Sequence, residues 1–401
     1  MISPGYPEEM PFFARGLTAA GARVIGVGDQ AEDALPAMAR ENLAGYWQGP
    51  SFADEGAFVA AVCERAAGAG IDQVESLWEP TMLLAARLRE ALGVAGMTVA
   101  ETIPFRDKEV MKRVLDEAGI RTPRHRGATS ASAVRAAAAE IGYPVVVKPI
   151  SGAGSANTHR VADPAQLEAV LPDLAGVAEL SVEEFVEGEE FTFDTICADG
   201  RVLYENVGWY RPRPLVARSL EWISPITMAL RDPMVDQLAG GRAMGHAVLG
   251  ALGFRDGFTH MEWYLTASGE AIFGEIAARP PGARTVDVMN WSCDSDLFAR
   301  WAEAVVLGEL TQPITRLYNS ASVCKRAQGA GRITAVEGLS RLLGELGEWV
   351  TAVDLLPLGA PRRDWRQTLL SDGWVMVRHP DLATCIEIAD RFAAELRLYA
   401  G

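Results

Sequence analysis

Two short runs of alternating apolar and polar residues, 258–265 and 270–277, flank a Ser268-Gly269 turn and constrain this chain more than any other feature. Alternation with period two on both sides of a turn reads as a β-hairpin. A four-residue connection over 266–269 pairs Leu265 with Glu270 and His260 with Glu275. Glu262 then lies diagonal to Glu275 on one face, and diagonal neighbours sit roughly 7–8 Å apart at the backbone. Two carboxylates on one face repel unless a cation lies between them. Hard oxygen donors that leave room for water and phosphate suit Mg²⁺, with Mn²⁺ as a substitute. His260 shares the face as a neighbour of the pair rather than a ligand, since nitrogen suits softer metals. Arg279 follows, ahead of Pro280-Pro281-Gly282, where a planar cation can hold a carboxylate or a transferring phosphoryl group.

Upstream, Asp107 is a helix N-cap, and Val110, Met111, Val114, Leu115 and Ala118 form an apolar stripe that Gly119 ends. A second helix is predicted over 132–141, closed by Gly142 and Pro144. The strand Val145-Val146-Val147 then delivers Lys148 to the edge of the small-residue stretch 151–157. A lysine there is not needed for packing and suits phosphate oxygens. The loop lacks GxxxxGK[ST], so it is not a P-loop. Asp163-Pro164-Ala165-Gln166 opens a further helix as a capping-box variant. Strands follow over 179–207, beginning with the acidic run Glu183-Glu184-Phe185-Val186-Glu187-Gly188-Glu189-Glu190 and turning at Asp199-Gly200. Residues 208–233, rich in Trp, Arg and Pro, read as irregular, and a helix is expected over 233–252.

The chain has 401 residues and calls for two or three domains. Residues 1–102 alternate strand-like segments (24–28 and 72–79) with an apolar-periodic helix over 81–92, as an open α/β domain does. Residues 311–401 read as a mixed α/β tail. The net charge of −16, without a dense Lys/Arg run, argues against nucleic acid and for a small-molecule partner. No apolar run is long enough to span a bilayer and the first residues lack signal-peptide character, so a cytoplasmic protein with no membrane association is expected. The five cysteines form no CxxC pair and read as free thiols. Gly26-x-Gly28 with Asp29 lacks the third glycine of a dinucleotide fingerprint and reads as a strand-end turn.

The order of these parts resembles the ATP-grasp superfamily, in its carboxylate–amine ligase branch (the D-alanine–D-alanine ligase and carnosine synthase kind), with biotin carboxylase-like enzymes as further kin. The resemblance covers residues 103–310. It implies an α/β plus α+β architecture: an open α/β pre-ATP-grasp domain over 1–102, a two-lobed ATP-grasp domain over 103–310, and a mixed C-terminal subdomain over 311–401. It further implies that Lys108 and Lys148 contact ATP phosphates, and that Gly152, Gly154 and Ser155 belong to the loop over the β- and γ-phosphates. Glu183, Phe185 and Val186 match the hinge that reads adenine, and Glu190 the carboxylate on the ribose hydroxyls. Glu262 and Glu275 match the metal carboxylates, and Arg279 the arginine facing the acyl-phosphate. Trp209, Tyr210, Arg211, Arg213 and Arg218 are assigned to the acceptor pocket or its lid, with His260 and Arg284 as further substrate neighbours. Ala277 departs from the family's usual Asn, which puts a second metal in doubt.

The implied activity is ATP-dependent ligation of a small-molecule carboxylate to an amine through an acyl-phosphate, releasing ADP and phosphate, in a homodimer. Bicarbonate-using or carbamoyl-phosphate-type chemistry and a non-catalytic ATP-binding module are the alternatives.

Overall fold

A computed structural model describes residues 1–150, 157–368 and 370–401. The N-terminal region pairs Ile25–Gly28 with Gly45–Gln48 in parallel, extended by a bridge from Ile2 to Val27. Helices Glu55–Ala66 and Met82–Leu92 pack on it through Phe58, Val62, Leu84, Ala85 and Leu88. Gly93 ends the second of these in the left-handed conformation that glycine takes without cost. The strand expected over 72–79 joins no ladder. Its backbone gives one bond to the strand side, Ile2 N–H to Glu75 O at 2.9 Å, and the chain then turns into a 3₁₀ helix at Glu79–Thr81.

A four-stranded antiparallel sheet follows, in the order His125–Ala128, Leu180–Glu184, Val145–Pro149, His159–Val161. Alternation splits its strands cleanly. Val145, Val147, Leu180 and Val182 meet the helix Ala131–Ile141 in one core. Val146, Lys148, Ser181 and Glu183 alternate with them and so point away from that helix. On that side lies the helix Lys108–Glu117, capped by Asp107, whose carboxylate accepts from the Glu109 and Val110 amides. Its buried stripe differs from the predicted one. Lys108, Met111, Lys112 and Leu115 are buried, whereas Val110 and Val114 are only half-buried. The helix is rotated because two lysines face inward.

The largest element is an eight-stranded antiparallel sheet. Its order is Ala271–Ala277, Gly257–Leu265, Glu189–Ala198, Arg201–Arg211, Ile226–Ala229, Asn319–Cys324, Gly373–His379, Val350–Leu355. Strands from both sides of residue 310 therefore share one sheet. Helix Asp236–Ala251 lies against Phe193 and Trp263, where Gly241 and Gly245 permit close approach: a Cβ at either would fall 2.2 and 2.4 Å from those rings. Residues 208–233 are only partly irregular. The strand runs on to Arg211, and a short helix, Pro214–Ala217, leads to Ile226–Ala229. A three-stranded sheet and the helix Leu382–Glu395 complete the C-terminal part. Among the described residues no helix is long and apolar enough to cross a membrane, and all five cysteines are free thiols.

Candidate active site

A solvent-open cleft lies between the four-stranded sheet and the hairpin. Lys108, Lys148, Glu183, Phe185, Val186, Glu190, Glu262 and Glu275 all line it, as does Arg213. Gly152, Gly154 and Ser155 lie outside the described residues.

Lys108, the first residue of its helix, reaches Glu275 at 3.3 Å. Lys148 Nζ is 2.9 Å from Glu183 Oε2. The other Glu183 oxygen meets Lys112, one helical turn beyond Lys108 and fully buried. Sequence reasoning missed Lys112, although the i, i+4 spacing of two lysines in a buried stripe was its signal. Burial pushes the Lys112 ammonium down to about 8, against the pull of Glu183. Burial alone would raise the Glu183 carboxyl, but Lys112 and Lys148 hold it far below the usual carboxylate range. Glu183 is thus an anion whose two oxygens space two cations.

The hairpin register differs from the predicted one. The connection spans five residues, 266–270, so the ladder begins at Leu265 opposite Ala271. That single-residue slip alone would place Glu275 on the opposite face from Glu262. A bulge at Gly274 reverses it, and Glu262 lies directly opposite Glu275, not diagonal to it. The bulge needs a glycine, since a Cβ there would sit 2.7 Å from the Glu262 carbonyl oxygen.

His260, on the same face, has Nε2 3.6 Å from Glu262 Oε1, and its Nδ1 donates to Asp194 Oδ1 at 2.6 Å. Burial disfavours its charge, but the bonds to Asp194 and Glu262 outweigh that and raise the imidazole to about 9. Tyr210 donates its hydroxyl to Glu262 Oε1 at 3.3 Å. Glu190 is buried, and burial together with the charge of Glu262 raises its carboxyl to about 8. The Glu262 and Glu275 carboxylates facing each other in one cleft are what a divalent cation relieves. Among the described residues no cluster of three His, Cys, Asp or Glu could hold a metal alone. Two carboxylates completed by phosphate and water oxygens suit Mg²⁺.

At the hinge, the Arg213 guanidinium lies 4.9 Å from the Phe185 ring and 4.7 Å from the Tyr264 ring. It donates to Val186 O at 2.8 Å and to Glu190 Oε2 at 3.1 Å. Arg213 therefore lies against the hinge inside the cleft. Trp209 and Arg211 do not enter it. Period-two geometry turns Gly208 and Tyr210 toward Glu262 and sends Trp209 to Phe191 and Glu189, with Arg211 over the Trp209 ring and paired with Asp390. Arg284 also lies apart from the cleft lining, paired with Asp287 and Glu8. Arg279 does not line the cleft either. Its Nε and Nη2 donate to Glu79 Oε2 at 2.8 and 2.7 Å, while Arg106 holds the other Glu79 oxygen. Ala283 and Arg284, just beyond, both take positive φ, at 56° and 61°. Such backbone costs about 1–3 kcal/mol per residue and concentrates at functional sites.

Residues 105–206 match the family described as an ATP-grasp domain. The chain is 29% identical over 218 residues to an L-arginine-specific L-amino acid ligase of Bacillus subtilis, covering 53% of this chain and 52% of that protein. It thus spans about half the length of that relative. To D-alanine–D-alanine ligase B of Xanthomonas campestris pv. campestris it is 30% identical over 214 residues, covering 50% of this chain and 67% of the ligase. The crystal structure of an L-amino acid ligase from Bacillus licheniformis shares the fold with a TM-score of 0.78 and 21% identity, over 98% of this chain and 96% of that one.

Proposed function

The chain belongs to the ATP-grasp family, and on that premise we propose that it is an ATP-dependent carboxylate–amine ligase. The convergence of Lys108, Lys148, Glu262 and Glu275 on one cleft beside the hinge carries this reading. A carboxylate is a poor acyl donor because its leaving group would be oxide. Attack of its oxygen on the γ-phosphorus of ATP forms an acyl-phosphate and releases ADP; an amine then adds to the acyl carbon and expels phosphate. Catalysis of this kind is mostly positioning and neutralisation of charge.

Lys108 and Lys148 offset the charge of the phosphates, Lys148 held by Glu183 and Lys108 by Glu275. Glu262 and Glu275 would hold Mg²⁺ or Mn²⁺, whose charge further offsets that of the phosphates. Glu183, Phe185 and Val186 form the adenine side of the cleft, and Glu190 accepts from the ribose. Arg279 stabilises the acyl oxyanion. The N-terminal unit ends near residue 102, while no division falls at 310, since strands from both sides of that residue share the eight-stranded sheet. The relatives' names support an amino acid or peptide-like amine as acceptor. The free thiols support a cytoplasmic setting, and the prevalence of twofold symmetry supports a homodimer.

The test is release of ADP and phosphate from Mg²⁺-ATP across a panel of amino acids and small carboxylic acids, singly and in pairs. Release that requires a particular pair establishes the ligase and identifies its substrates. Release with bicarbonate in place of the acid would replace this reading with a carboxylating one. ATP binding with no release under any pairing would favour a non-catalytic module.

A further inference from the structure

Asp194 presents a problem that the nucleotide cleft does not solve. Its carboxylate is fully buried in the middle of the eight-stranded sheet, where an unused charge is costly. Three donors hold it: Thr192 Oγ1 at 2.8 Å and Asn206 Nδ2 at 2.9 Å on one oxygen, and His260 Nδ1 at 2.6 Å on the other. Thr192 is fixed in turn, because its hydroxyl accepts from the Gly208 amide at 3.2 Å. A side chain at 208 would collide with that hydroxyl, since a Cβ would lie 2.5 Å from Thr192 Oγ1. The Gly208 amide donates to Thr192 and Thr192 to Asp194, which accepts from the His260 ring on its other oxygen, so a connected series links these groups. It ends at Glu262, 3.6 Å from His260 Nε2.

The ladder explains why this chain is built here. His260 pairs with Asp194 on one side and with Ala277 on the other, and Glu262 pairs with Thr192 one rung away. The methyl of Ala277 leaves the imidazole its space, and the sheet fixes every Cα in the series. The two facing carboxylates are then held by different means. Glu275 has Lys108 at 3.3 Å. Among the described residues, Glu262 has a weakly placed Tyr210 hydroxyl and the His260 ring.

We propose that Asp194 and His260 form a positioning unit that fixes the Glu262 carboxylate for a divalent cation, a role that rests on reading Glu262 and Glu275 as the cation-holding pair. Neither residue touches substrate or cation; Asp194 acts through His260, and His260 through Glu262. Outer residues of this kind typically govern metal affinity by about 10–100-fold.

The experiment measures Mn²⁺ binding to the full chain at saturating ADP, by the loss of the free-ion electron paramagnetic resonance signal, with ADP affinity in the absence of metal and the thermal midpoint recorded alongside. Glu262→Gln tests the underlying reading and is expected to weaken Mn²⁺ binding. His260→Ala and Asp194→Asn are expected to raise the Mn²⁺ Kd about 10–100-fold with metal-free ADP affinity unchanged. His260→Gln, which keeps a donor toward Glu262, should recover most of the loss. If Asp194→Asn fails to fold, His260→Ala decides alone. A folded His260→Ala with the wild-type Mn²⁺ Kd overturns the positioning unit while leaving the carboxylate pair standing. Wild-type binding by Glu262→Gln would remove the pair itself, and the unit with it.

Discussion

Glu183 shows how much one side chain can set. Its carboxylate is shared by Lys112, which is buried, and Lys148, which reaches the cleft. Removing one partner of a buried ion pair leaves an uncompensated charge and costs about 3–5 kcal/mol. Lys112→Met should lie near 3 kcal/mol, since Lys148 remains, and should weaken ATP binding because Lys148 is then drawn wholly onto Glu183. Urea unfolding and a nucleotide titration check the two halves. Glu190 makes the opposite kind of prediction. Burial and Glu262 raise its carboxyl from an ordinary 4.5 to about 8, so the folded state holds a proton that the unfolded chain gives up. Its contribution to stability is full below about 4.5 and is lost as pH rises toward 8. Glu190→Gln removes that loss, so the thermal midpoint of the metal-free protein should fall less between pH 5 and pH 8 than in the wild type. An unchanged slope would mean that Glu190 is already ionised at neutral pH. Lys148 was legible as a strand-end lysine beside a small-residue loop, whereas Glu183 and Glu190 taken alone read as an exposed acidic strand end and were singled out only by the family resemblance. Lys112 was hidden because a lysine in a helical stripe reads as solvated until its buried partner is known.

The carboxylate hairpin shows the same division at the level of elements. Both strands and both glutamates were readable from alternation, but the facing of the two was right for the wrong register. The connection is one residue longer than the Ser268-Gly269 signal suggests, and the bulge at Gly274 cancels the slip. Two errors of one residue offset each other, and sequence pattern carries neither. The segment 208–233 failed differently. Its Trp, Arg and Pro content suggested irregularity, yet Gly208-Trp209-Tyr210-Arg211 alternates, and that alternation puts Tyr210 rather than Trp209 or Arg211 beside Glu262. The bulge gives a direct test. Gly274→Ala sets a methyl 2.7 Å from the Glu262 carbonyl and must move one strand or the other. A displacement near 1 Å at a reacting centre costs on the order of 10²-fold in rate. Turnover should fall by about that factor while the circular dichroism stays native-like. Full activity would show that the register of the pair is not critical.

Across the whole molecule, the site is assembled from distant stretches of chain, and a protein with net charge −16 must gather its positive charge locally. Lys108, Lys112 and Lys148 do this on one side. On the other, Glu79 of the N-terminal region grips Arg279, which follows the hairpin, and Arg106, which precedes the lysine-bearing helix. One carboxylate thus joins three parts of the fold that lie far apart in sequence. The contact was not legible, because nothing local to 72–79 distinguishes Glu79 from an ordinary helix-start acid. Burial works against the charge of Arg279, and Glu79, Glu275 and Glu262 more than offset it, so the guanidinium stays charged. Arg279→Ala should therefore keep ATP binding and lose about 10²–10³ in turnover, as for a lost oxyanion donor. Glu79→Ala leaves the guanidinium present but unheld, and its loss should be smaller. The informative variant is the double one. Residues that act as a unit give strongly non-additive losses. If Glu79 works by orienting Arg279, kcat/KM of Glu79→Ala/Arg279→Ala should match that of Arg279→Ala alone. If the two losses multiply, Glu79 serves the reaction by a route of its own, and the bridge between the N-terminal region and the hairpin is not the means by which Arg279 is placed.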